Sequence, residues 1–196
     1  TGKLAHVTKP FASPIDWGQL SRSWNVFYYV FDPNRGGGYG YGAFQSLAWN
    51  GNGYDVVPGN SGSYAAVNNI IESGQAFFVS TLGADTLLAL NESVKSASNN
   101  VLPFVPVTAP GAKLHTNLYV VDAAGNAVLA DGVLHHFDAG FSNDLDGMDA
   151  AKMFNAGENI SINKQGRLLA VERKQMPAKD DTLFFALSGT APGKYR

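Results

Sequence analysis

Apolar and polar residues alternate in short bursts along this chain, and each burst ends at turn-forming residues. WNVFYYVFD (24–32) is dense in aromatic and β-branched side chains and runs into Asp-Pro-Asn, which predicts a strand closed by a turn. YGAFQSLAW (41–49) predicts the next strand, and NGNGY (50–54) the tight turn after it. GQAFFVST (74–81) and TLLALNES (86–93), split by LGAD, read as a hairpin. LHTNLYVVD (114–122) places Leu114, Thr116, Leu118 and Val120 on one face. The turn DAAGN leads into AVLAD and then GVLHHFD, and RLLAVERK and TLFFALSG supply late strands. Helical signals are few. MDAAKMF (148–154) is the best of them, and SPIDWGQLSR has room for one turn after Pro14.

Strands at this spacing predict an all-β protein of the β-sandwich or jelly-roll kind, with one short helix near 147–155. VLPFVPVTAPGA (101–112) has three prolines and no periodicity, and reads as an extended crossover. The chain therefore divides into a first β lobe over 1–100 and a second over 113–196, packed together, or forms one continuous domain.

Composition narrows the function classes. At 196 residues the chain buries roughly 70% of its unfolded surface, enough for a conventional core. Charged residues make up 15%, against the usual ~25%, so Asn, Ser, Thr and Gly must form much of the polar surface, as in extracellular β proteins. A net charge of −2 with no Lys/Arg cluster argues against a nucleic-acid partner. The absence of cysteine removes disulfides, thiolate metal sites and cysteine nucleophiles. No apolar run approaches the length of a membrane span. The opening TGKLAHVTKP lacks a signal-peptide pattern, and Thr1 reads as an internal cut in a longer secreted precursor.

Four stretches carry candidate chemistry. In FSNDLDGMDAAKMF (141–154), Asp144, Asp146 and Asp149 sit around a glycine. Alternating carboxylates at a Gly-assisted turn can converge on calcium, although the length and distal Glu of an EF-hand loop are missing. The same residues can instead cap a helix, with Asp149 at the positive end of its dipole. GGGYGYG (36–42) lacks the Gly-Lys-Ser/Thr of a phosphate loop and reads as a hairpin tip. Tyr39, Tyr41, Trp49 and Tyr54, interleaved with Asn50 and Asn52, could stack on sugar rings, whereas strand aromatics are more often core. His135 and His136 are adjacent, so on a strand they face opposite ways and do not share one metal; with His115 they read as core or surface residues. GNSGS (59–63) misses the nucleophile elbow, no other Ser has a base, and no catalytic residues are assigned.

The order of several segments resembles a known family. PFASPIDW (10–17) resembles NPYPSPIDW, FYYVFDPNRGGGY resembles its YVWDPN strand and turn, and IESGQAFFV resembles IAPGQGFFV. LNESVK is similar to FNES, and GFSNDLDGMDAAKMF is similar to GFDxGYDAxKLF. These belong to the β-sandwich region upstream of the type IX secretion sorting domain in large secreted surface proteins of Bacteroidetes. The opening departs from it (VTKPF for the usual GNPYP), and the chain stops at GKYR where further strand is expected. Asp144, Asp146, Asp149, Ala150 and Lys152 fall in the family's acidic motif. The resemblance implies a secreted, cell-surface module attached to adhesins, fibre-like proteins or polysaccharide-degrading enzymes, with no established activity. The expectation is a non-catalytic structural or adhesive module whose partners are copies of itself or neighbouring surface proteins, able to build a fibre by sharing strands. The alternative is a carbohydrate-binding module of a polysaccharide-degrading enzyme. Calcium is the one cofactor considered.

Overall fold

A computed structural model describes residues 4–22, 27–32, 35, 42–50, 54–59, 69–80, 87–97 and 111–196. The strands of the first part are β1 (Leu4–Val7), β2 (Ile15–Asp16), β3 (Ser21–Arg22), β4 (Phe27–Asp32), β5 (Ala43–Trp49), β6 (Tyr54–Val57), β7 (Ile70–Ile71), β8 (Phe77–Ser80) and β9 (Leu88–Ala89). Those that follow are β10 (Ala112–Val121), β11 (Ala127–Phe137), β12 (Ala150–Ala151), β13 (Asn159–Lys164), β14 (Arg167–Lys174), β15 (Phe185–Ser188) and β16 (Lys194–Tyr195). The fold is all-β and sandwich-like, and the described residues contain two short 3₁₀ turns and no α-helix. None of their helices is long and apolar enough to cross a membrane.

One sheet runs β1-β8-β4-β5-β6. Its middle strands bury both faces over most of their length, which is why FYYV (27–30) reads as an unbroken apolar run rather than an alternating one, with Phe31 beyond it exposed. Tyr28, Val30, Leu47, Val56 and Phe77 pack on one side against Ile15, Trp17, Leu20, Ile71 and Val94, supplied by short elements and turns. Phe27, Tyr29, Ala48 and Val57 pack on the other side against Leu134, Ala150 and Val171 of the second sheet. Polar contacts cross the same interface. The Tyr29 hydroxyl donates to the Ala151 carbonyl at 2.8 Å, the Phe44 N–H donates to Asn155 Oδ1 at 2.8 Å, and Arg173 Nη2 donates to the Trp49 carbonyl.

The second sheet runs β15-β13-β14-β11-β10-β16, with β12 added against β14. Strands β10 and β11 form a long antiparallel hairpin, closed where the Asp122 carboxylate accepts the N–H and the side-chain amide of Asn126. Strands β13 and β14 are joined through Gln165 (φ 52°) and Gly166 (φ 77°), the paired left-handed residues of a tight two-residue hairpin. Strands β11 and β14 run parallel. Leu118, Val133, Ile160, Ile162 and Leu169 make this sheet's own core.

Two expectations are corrected. The helix near 147–155 does not form. Ala150 and Ala151 pair with β14, and the Lys152 N–H donates to the Leu168 carbonyl at 2.8 Å. A helical nucleus this short needs tertiary packing to survive, and here the packing favours the extended strand. Nor do the segments around 74–81 and 86–93 pair with each other: β8 joins β1 and β4, while β9 joins β3. The single turn expected after Pro14 is present as the 3₁₀ turn Trp17–Gln19, capped by Asp16.

Candidate functional site

The aromatic surface proposed for sugar stacking is not assembled by its described half. Tyr39 and Tyr41 lie outside the described residues. Tyr54 is fully buried, edge-on to Tyr28 (5.5 Å between ring centres) and to Trp49 (5.2 Å). Because Tyr54 lies opposite Trp49 across the β5–β6 pair, both rings point to the same face, the one that holds the first core. Tyr54 is therefore a core residue, and Trp49 is half-buried against that core.

The acidic stretch is gathered into one turn, but its three aspartates do different work. Asp146 Oδ1 accepts the Met148 N–H at 2.7 Å, a local Asx turn in place of the expected helix cap. Asp144 offers its backbone carbonyl to Lys164 Nζ at 3.0 Å. Asp149, buried, accepts the Arg173 N–H on Oδ1 at 2.9 Å, and Lys164 Nζ and the Asp146 N–H on Oδ2, each at 3.2 Å. Lys164 continues to Glu172 Oε1 at 3.4 Å, and Glu172 Oε2 lies 3.2 Å from His135 Nε2. The ammonium of Lys164 thus sits among the oxygens that the acidic turn directs inward. Among the described residues, no three carboxylate or imidazole side chains converge as a metal cage requires.

This chain of charges is nearly dry, and burial sets its titration. Burial raises the Asp149 carboxyl above its ordinary value, against the opposing pull of the Arg173 N–H and Lys164. Burial also acts to raise Glu172, but the adjacent His135 imidazole and Lys164 outweigh it and hold Glu172 below the usual carboxylate range. A group held low in the folded state adds stability above its unfolded pKa, and that stability is lost as pH falls through the folded value. Asp149 contributes with the opposite sign. Glu172→Gln is therefore expected to cost about 1.5–3 kcal/mol at neutral pH, with the gap to wild type closing below about pH 4. Urea unfolding at the two pH values checks this, and a gap that stays constant or widens on acidification contradicts it.

A second buried cluster was not visible in the sequence. Lys152 Nζ lies 2.7 Å from Asp131 Oδ1 and 2.6 Å from Oδ2, and both side chains are buried. Asp131 Oδ2 also accepts the Ile160 N–H at 2.8 Å. The buried Arg35 guanidinium is electrostatically coupled to Asp131 and to Asp32. Burial lowers the pKa of Lys152 while Asp131 acts to raise it. The one available signal was an acidic residue, Asp131, between the apolar stretches AVLA and GVLHHF. Both stretches belong to one continuous strand, β11. Gly132 is needed because a Cβ would meet Asn117 Oδ1 at 2.5 Å and Pro58 Cβ at 2.9 Å.

The histidines of β11 are core residues. His135 lies edge-on to Phe185 and His136 edge-on to Phe141, both buried. Beside the acidic turn, where β12 and the β13–β14 hairpin meet β1 and β8, lies a cavity of about 540 Å³. Of the residues in its wall, Asp149, Lys152 and Leu169 are buried, Asp146 is half-buried, and Phe154 and Arg167 are exposed.

Fold and site together define an all-β, sandwich-like protein whose acidic signature is bound into an internal ion network. Comparison with protein-family models, with curated proteins and with solved structures finds no match.

Proposed function

We propose that this chain is a non-catalytic structural or adhesive module of a secreted cell-surface protein, which joins copies of itself or neighbouring surface proteins by strand sharing. The observation that carries this reading is an edge of the second sheet that no further strand covers among the described residues. Strand β15 pairs with β13 on one side and ends the strand order. It presents Phe185 (40% exposed) and Leu187 (58%), directly after Phe184 (63%). Edge strands are normally blunted by charge, proline or a bulge, and FALS has none of these. Such an edge offers main-chain donors and acceptors for an added strand, with apolar side chains to bury on pairing. The low charge and the resemblance to secreted surface modules support an extracellular setting. The consumption of Asp149 and Lys152 in internal ion pairs supports a structural rather than a catalytic acidic motif.

The test is sedimentation velocity over a concentration series, with electron microscopy of the most concentrated sample. Wild type is expected to associate with rising concentration. Leu187→Lys is expected to weaken association about tenfold or more and to leave monomer stability within about 0.5 kcal/mol. A monodisperse wild-type monomer with no filaments would sink the proposal.

A further inference from the structure

We infer that the cavity beside the acidic turn is a binding site for a neutral saccharide, with Asp146 and Arg167 engaging ring hydroxyls and Phe154 supporting a ring face. At about 540 Å³ it falls in the size range of small-ligand sites, and it lies where the two sheets meet, a common position for them. Its buried charges are already engaged: Asp149 holds Lys164 and the Arg173 N–H, and Lys152 is paired with Asp131. Two charged groups on the wall keep polar atoms for a ligand: Asp146, whose charge also acts on the Arg173 guanidinium, and Arg167.

Asp146 is held in place by its own turn. Its Oδ1 accepts the Met148 N–H, and its Oδ2 accepts no hydrogen bond among the described residues. Arg167 follows the two left-handed residues of the β13–β14 turn, which fix its start on β14. Its exposed guanidinium makes no hydrogen bond or ion pair with the described residues. One free acceptor and one free donor of opposite charge leave the wall with no net charge, which disfavours an anion or a cation as ligand. A planar carboxylate and a planar guanidinium suit neighbouring hydroxyls, each of which both donates and accepts. Beyond the charged residues and Ser80, the lining side chains are apolar. Phe154, 46% exposed, and Leu145 and Leu168 offer the C–H contact that a pyranose face requires. The site differs from the Tyr39–Tyr54 surface considered from sequence, and it stands or falls separately from strand sharing, which a different measurement reads.

The experiment is calorimetric titration of the whole chain with N-acetylglucosamine, galactose, maltose and cellobiose, and with glycylglycine as a zwitterionic control. At least one sugar is expected to bind. Arg167→Ala and Phe154→Ala, both exposed positions, are each expected to weaken that binding about tenfold without moving the melting temperature. Trp49→Ala is expected to leave the sugar affinity unchanged. No heat with any sugar at saturating concentration overturns the assignment. Binding indifferent to Arg167→Ala and Phe154→Ala overturns it by placing the sugar elsewhere. A response to glycylglycine without one to sugars overturns the ligand class.

Discussion

Asp131→Ala is expected to cost about 3–5 kcal/mol of folding stability. The carboxylate serves three groups at once: the Lys152 ammonium, the Ile160 N–H and the Arg35 guanidinium. Removing it leaves the Ile160 N–H without its acceptor, the buried Lys152 amine with the more distant Gly132 carbonyl at 3.4 Å, and Arg35 with Asp32 as its remaining counter-charge among the described residues. The cost of stranding charge in a dry interior far exceeds the net value of the intact pair. Lys152→Met is expected to cost less, about 1.5–3 kcal/mol. It leaves Asp131 with the Ile160 N–H and Arg35, and a side chain of similar length fills the space. The ordering is the test. Urea unfolding of both variants should rank Asp131→Ala well below Lys152→Met, and the reverse ranking would show that Asp131 is not the hub. Since small domains are stable by only about 5–15 kcal/mol, Asp131→Ala should also show partial loss of the β signal in circular dichroism at ambient temperature.

The pair also marks where sequence reading reaches its limit. Aromatic and β-branched density located β4 and β5, and RLLAVERK coincides with β14 from Arg167 to Lys174. Those signals are local: side-chain shape on a pleated surface, bounded by turn residues. The helix expected at MDAAKMF was also a local reading, and it failed because β14 lies beside the segment and takes its backbone groups into a ladder. The site was legible only in part. Three aspartates around a glycine gave away an acidic turn, but not that Lys164 and Glu172 would come to it from β13 and β14. Tyr54, beside Asn50 and Asn52, was open to a sugar-stacking or a core reading because nothing in sequence tells which face of β6 is covered. The cover comes from Ile15, Trp17 and Val94, which are distant in the chain. Partners brought in by topology leave no mark in the segment they complete.

Trp17 makes the same point energetically, and its replacement carries the second large expected effect. It sits in a short 3₁₀ turn that would be unstable alone, held by the Asp16 cap on Gly18 and by its own N–H donating to the Asn69 carbonyl at 2.7 Å. The indole is fully buried, 4.5 Å from the Tyr28 ring centre and edge-on to Phe77 at 5.4 Å. It thus closes the outer face of the first sheet across β4 and β8. Trp17→Ala is expected to cost about 3–5 kcal/mol, combining lost apolar burial with a cavity that a two-sided sheet cannot collapse to fill. Trp17→Phe should lose less, because a smaller ring keeps part of the edge-to-face contact, itself worth about 0.5–1.5 kcal/mol. Trp49→Ala, at a half-buried position on the same face, should cost less than Trp17→Ala. Urea unfolding at constant m-value reads all three. Equal losses at positions 17 and 49 would contradict the assignment of Trp17 as the central residue of that core.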